Sequence, residues 1–166
     1  MKPLFFSLSL VALLGLAPHD VAPDFTLNNQ DAKPITLSSF QGKPVLLFFY
    51  PKDNTPGCTK QSCMLRDSFK KFQEQGTVIF GISTQNEKSH QAFIKEHKLP
   101  FDLRVDTDGR VAALYGVKNR AGFLERKSVL IGPNGKVFKY YESVDPSSHA
   151  DKVLADLSAL RIGSKP

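Results

Sequence analysis

Two uninterrupted apolar runs set the limits on this chain, Pro44–Tyr50 (PVLLFFY) and Thr77–Ser83 (TVIFGIS). A strand with one wet face alternates polar and apolar residues. These runs do not alternate, so each reads as a strand covered on both faces. Covering both faces takes layers of helix, and the stretch after each run has helical spacing. Leu65, Phe69 and Phe72 fall at i, i+4 and i+7, which predicts one helix from Pro56–Gly57 to about Gln75, stopped by Gly76. Residues 86–98 predict a second helix, with Phe93 and His97 on one face and Pro100 as its end.

Shorter elements complete the pattern. Asp24–Leu27 and Ile35–Leu37 read as two strands around a turn at Asn28–Lys33. Phe101–Val105 is a short strand, Asp106–Gly109 a turn and Val111–Tyr115 a brief helical turn. Arg126–Ile131 and Val137–Tyr141 form a hairpin across Gly132-Pro133-Asn134-Gly135. A last helix covers about His149–Leu160, burying Val153, Leu157 and Leu160. Strands alternating with helices, then a late hairpin, define an α/β three-layer domain.

Composition closes off other classes. With 41% apolar and 23% charged residues in 166, the chain has enough for one core and one domain, and it is neither disordered nor fibrous. A net charge of +6 supports solubility and does not indicate nucleic-acid binding, since no basic sheet face is evident. Two cysteines and four scattered histidines make neither a disulfide scaffold nor a structural zinc site. His90 and His97 lie about 10.5 Å apart along a helix, too far for one ion, and read as surface or packing residues. Lys118, Arg120, Arg126 and Lys127 form a basic stretch, read as a solvated loop entering a strand for all but Arg126.

Residues 1–17, MKPLFFSLSLVALLGLA, read as a separate object. One lysine precedes an apolar centre, and small residues follow at Gly15 and Ala17. The apolar part spans roughly 21 Å as a helix, short of a bilayer core. This reads as a secretory signal peptide cleaved after Ala17; an uncleaved anchor is the alternative. Cleavage would leave residues 18–166 as one domain without membrane insertion. Export implies a periplasmic or lumenal setting where thiols oxidise.

The chemistry concentrates in Pro51-Lys-Asp-Asn-Thr55-Pro-Gly-Cys58-Thr-Lys-Gln-Ser-Cys63. Cys58 falls in the first turn of a helix, where free amides and the positive dipole end favour a thiolate. Thr55 can offer a hydroxyl beside the sulfur, and Pro51 can shield it from water. Cys63 lies five residues on. In an intact helix the two Cα atoms are roughly 8.6 Å apart, whereas a disulfide wants less than about 7 Å. Pairing therefore requires the first turn to open. A redox switch with local unwinding and a small core residue at Cys63 both remain open on geometry.

The element Pro51-x-x-x-Thr55-x-x-Cys58 resembles the peroxiredoxin active-site motif. The second cysteine at Cys63 is similar to the bacterioferritin-comigratory-protein and PrxQ branch. The likeness runs from about Ala22 to Leu160. It includes Ala22-Pro23-Asp24-Phe25, Asp106–Gly109, Tyr115-Gly116-Val117 and Arg126 within Glu125–Ile131. It implies a thioredoxin-like fold with a central mixed sheet flanked by helices and an added N-terminal β-hairpin. It also implies roles: Cys58 peroxidatic, Cys63 resolving, Thr55 bonding peroxide and thiolate, Arg126 beside the sulfur, Pro51 walling the pocket. The implied substrates are hydrogen peroxide and organic hydroperoxides. The implied reductant is thioredoxin or a thioredoxin-like dithiol, with no cofactor or metal and a monomeric chain. Competing readings are a thiol–disulfide exchange protein or redox sensor on the same fold, and a binding domain with inert cysteines. Thr55 and Arg126 discriminate, because only peroxide chemistry needs both at the sulfur.

Overall fold

A computed structural model of the chain describes residues 16–163. The signal-peptide reading falls outside them, apart from Leu16 and Ala17. The core is a five-stranded mixed sheet of β3 (Val45–Phe49), β4 (Val78–Ser83), β5 (Asp102–Val105), β8 (Lys127–Ile131) and β9 (Val137–Tyr141), in the order β5-β4-β3-β8-β9. β3 runs parallel to β4 and antiparallel to β8. The parallel pairs β3–β4 and β4–β5 are joined through helices, as parallel neighbours must be. Ahead of the sheet, β1 (Thr26–Asn28) and β2 (Pro34–Thr36) form the expected antiparallel hairpin. A short 3-10 turn, Leu37–Phe40, leads from it to β3.

Every residue of β3 is buried, as the unbroken apolar run requires. Its side chains divide by parity. Val45, Leu47 and Phe49 join one apolar cluster, with Phe25 and Leu27 of the hairpin segment and with Val111 and Ala112 of α4 (Arg110–Leu114). Leu46, Phe48 and Tyr50 join the other. That second cluster takes Leu65 of α1 (Pro56–Asp67), Phe72 of α2 (Phe69–Glu74), Phe93 of α3 (Glu87–His97) and Leu157 of α5 (His149–Gly163). Gly81 in β4 is obligatory, since a Cβ there would meet Leu103 and Phe48 at 2.6 Å.

Three expectations change. The helix after the cysteine loop is not continuous: Ser68 takes φ −96 and ψ 2, ending α1 and starting α2. The break leaves Leu65 and Phe72 fully buried and Phe69 packed at the edge of the same cluster. Pro100 does not end α3; Lys98 does, by entering the left-handed region at φ 52. The loop with Lys118 and Arg120 holds a small hairpin of β6 (Asn119–Arg120) and β7 (Phe123–Leu124). Strands of two residues have no periodicity to read.

Candidate active site

The site forms where β3 delivers the chain to the start of α1. Thr55 is the N-cap, Pro56 occupies the first helical position, and Cys58 sits two residues further in. The Cys58 side chain belongs to the buried core, and the residue is only 1% exposed. Thr55 makes no side-chain capping bond. Its hydroxyl instead donates to the Lys52 carbonyl at 2.8 Å. The first backbone bond within the turn comes from Thr59, to Thr55 at 2.8 Å. The amides of the first turn, Gly57 and Cys58, precede the helical ladder and are available to an anion at the sulfur. Thr55 does not bond the sulfur itself; with its proton given to Lys52, it presents an acceptor.

Arg126 meets Cys58 from the other side. The pairing of Phe49 with Lys127 places Arg126, just before β8, across from the loop that follows β3. Its Nη2 donates to Cys58 Sγ at 3.2 Å, and its Nη1 donates to Gln61 Oε1 at 2.7 Å. Gly57 makes room: a Cβ there would stand 3.0 Å from Arg126 Nη2. Gln61 is fully buried one turn after Cys58 and fixes the far side of the guanidinium. Sequence reading overlooked Gln61, although its i, i+3 spacing from Cys58 placed both on one face. Pro51 is half-buried at the head of the loop. Cys63 is half-buried within unbroken α1 and Cys58 is buried at its start; both thiols are free.

Behind the loop lies a buried polar network. Tyr50 donates to Asp53 Oδ1 at 2.6 Å, Ser89 donates to Asp53 Oδ2 at 2.7 Å, and His90 Nδ1 lies 2.8 Å from Oδ2. Burial acts to raise the Asp53 carboxyl, but the His90, Tyr50 and Ser89 bonds outweigh it and hold the group below its ordinary value. Burial, then the Asp53 charge, push Tyr50 well above its own, so it stays a donor. His90 is thus a buried member of a network rather than a surface residue.

His149 opens α5 beside this site, with its ring edge-on to Tyr141 at 5.2 Å. Burial first, then Lys152 and Arg126, lower it to about 4. A neutral ring leaves the Arg126 charge uncontested. Above about pH 6.5 the ring is neutral in folded and unfolded chains alike. Below it the unfolded chain binds a proton that the folded one refuses until about pH 4. Stability should therefore fall with pH through that window, by about 3 kcal/mol. His149→Gln is expected to flatten this fall in denaturant midpoints; an unchanged slope assigns the acid sensitivity elsewhere.

A buried thiol thus stands at an open helix N-terminus, touched by a guanidinium and carried on a thioredoxin-like sheet. The comparisons with known proteins make the class a thiol peroxidase. The AhpC/TSA family model matches residues 18–140, and the chain belongs to that family. It is 43% identical over 142 residues to a chloroplastic peroxiredoxin Q of Sedum lineare, covering 84% of this chain and 76% of that one. Peroxidoxin BcpB of Mycobacterium tuberculosis superposes with a TM-score of 0.81 at 35% identity, over 87% of this chain and 97% of that one. The bacterioferritin comigratory protein of Xanthomonas campestris, whose solved structure concerns alkyl peroxide reduction, gives a TM-score of 0.78 at 30% identity. It covers 87% of this chain and 96% of that one. Within the family the chain falls in the peroxiredoxin Q and bacterioferritin-comigratory branch.

Proposed function

We propose that Cys58 is the peroxidatic cysteine for hydrogen peroxide and organic hydroperoxides, and that Cys63 resolves it. The observation that carries this is the Arg126 Nη2 contact to the buried Cys58 sulfur at 3.2 Å. In the first step the Cys58 thiolate attacks one peroxide oxygen. The S–O bond forms as the O–O bond breaks, and the departing oxygen takes a proton to leave as water or an alcohol. Two electrons pass from sulfur to peroxide. Arg126 and the first-turn amides face the charge that develops on oxygen. Thr55 Oγ accepts a hydrogen bond from the incoming peroxide.

In the second step the Cys63 sulfur attacks the Cys58 sulfenic acid. The S–S bond forms, the S–O bond breaks, and hydroxide leaves with the Cys63 proton as water. Intact α1 holds the two Cα atoms roughly 8.6 Å apart, so its first turn opens for this step. An external dithiol, thioredoxin-like in chemistry, then exchanges with the disulfide, restores both thiols and is itself oxidised. The chain acts as a monomer.

Reduced protein mixed with one equivalent of hydrogen peroxide is expected to consume it rapidly and gain one Cys58–Cys63 bond by mass. Loss at the rate of a free thiol sinks the reading. Cys63→Ser is expected to reduce one peroxide per chain and then stall. Dithiol-coupled turnover at the wild-type rate in that variant removes Cys63 from the cycle.

We place the enzyme outside the cytosol, from the signal-like residues 1–17. Its reductant is then a membrane-fed dithiol protein of that compartment. The native N-terminus is expected at Pro18; protein isolated with Met1 intact refutes cleavage.

A further inference from the structure

The chain on both sides of the peroxidatic turn is bonded to one helix, α3. Upstream, Asp53 is held by Ser89 at 2.7 Å and by His90 Nδ1 at 2.8 Å. The side chains of this pair are 0% exposed for His90 and 2% for Asp53. His90 is fixed in turn, since its Nε2 lies 3.1 Å from the Arg104 carbonyl on β5. The next residue, Asn54, bonds His97 Nε2 through Oδ1 at 3.1 Å. Downstream, Arg66 Nη1 donates to the His97 carbonyl at 2.7 Å. Residues 55–65 lie between these attachments, and both cysteines lie among them. Inside the span, Gln61 Nε2 and Ser62 Oγ are buried without a partner among the described residues. Opening that spreads to them within residues 55–65 lets water reach both.

We propose that α3 is the fixed frame for resolution, gripping the chain on both sides so that opening stays within residues 55–65 and oxidised Cys58 is delivered to Cys63. This rests on the resolving role given to Cys63. His90 acts through Asp53, and Arg66 acts through the end of α3; both are positioning residues. Neither grip breaks when the turn opens. Removing one does not ease the opening; it enlarges the ensemble of open chains and lowers the effective concentration of one sulfur at the other.

The test uses His90→Gln and Arg66→Gln in the full chain, with melting temperature measured beside kinetics. Peroxide loss gives the first phase, and disulfide formation, quenched with a thiol reagent and read by mass, gives the second. Arg66→Gln is expected to keep the first phase and slow the second about fivefold. His90→Gln is expected to slow the second by a similar factor. In both, sulfinic acid on Cys58 rises at fixed excess peroxide, because a second peroxide finds the waiting sulfenic acid and oxidises it with release of water. Arg66→Lys, which keeps a donor on a long stem, recovers most of the rate.

A second phase at or above the wild-type rate in both glutamine variants overturns the proposal, whatever the melting temperatures do. Wild-type protein that forms no disulfide overturns the resolving role beneath it too, and that result shows without any variant.

Discussion

Replacing Cys58 with serine is expected to lower peroxide reduction by at least about 10³-fold, to the background of the uncatalysed reaction. The substitution changes one atom. Serine fits the buried position and leaves α1, Arg126 and Gln61 in place. What it removes is the sulfur that contacts the guanidinium. A hydroxyl in the same place does not ionise near neutral pH, and oxygen is a poor nucleophile toward peroxide. Stopped-flow peroxide loss in Cys58→Ser, with melting temperature as the fold control, reads the effect. A folded serine variant that still consumes peroxide at the wild-type rate moves the chemistry to another group and undoes the account of the site.

Arg126→Gln is expected to lower kcat/KM for peroxide by about 10²–10³-fold, the usual loss when one charged donor is taken from a developing oxyanion. Two contributions add. The Nη2 contact at 3.2 Å holds the guanidinium at the sulfur, facing the charge that develops on oxygen during the reaction. The Nη1 bond to Gln61 at 2.7 Å holds the fork in that orientation. Glutamine is shorter and neutral, so it supplies neither. Arg126→Lys keeps the charge without the fork and should lie between. A glutamine variant that reacts at the wild-type rate removes Arg126 from the reaction.

Much of this architecture is legible in the amino-acid sequence. The runs at Pro44–Tyr50 and Thr77–Ser83 announce their burial because a strand covered on both faces has no polar positions to spare. The hairpin at Gly132–Gly135 is legible from its turn residues, and α3 from the shared face of Phe93 and His97; its cap, Asn86 Oδ1 accepting from the Ser89 amide at 3.0 Å, is seen only in the structure. The break at Ser68 is not, because Leu65, Phe69 and Phe72 satisfy one continuous helix as well as two short ones. The closeness of Arg126 to Cys58 comes from the resemblance alone. Sixty-eight residues separate them, and only the β3–β8 register brings them together. The Asp53–His90 pair, 37 residues apart, is hidden for the same reason. His90 on a helix face carries no mark of a partner in a distant loop.

The uncapped start of α1 has a consequence for anyone who sets out to make this enzyme hardier. Cap optimisation is a standard route to stabilisation, with gains of about 1 kcal/mol. Position 55 would attract it, since Thr55 is the N-cap and turns its hydroxyl to Lys52. An aspartate there that accepted from the first-turn amides would occupy the donors facing the sulfur and set a carboxylate against the thiolate. The engineer's obvious improvement and the enzyme's substrate compete for the same few N–H groups, so thermal resistance has to come from elsewhere in the molecule.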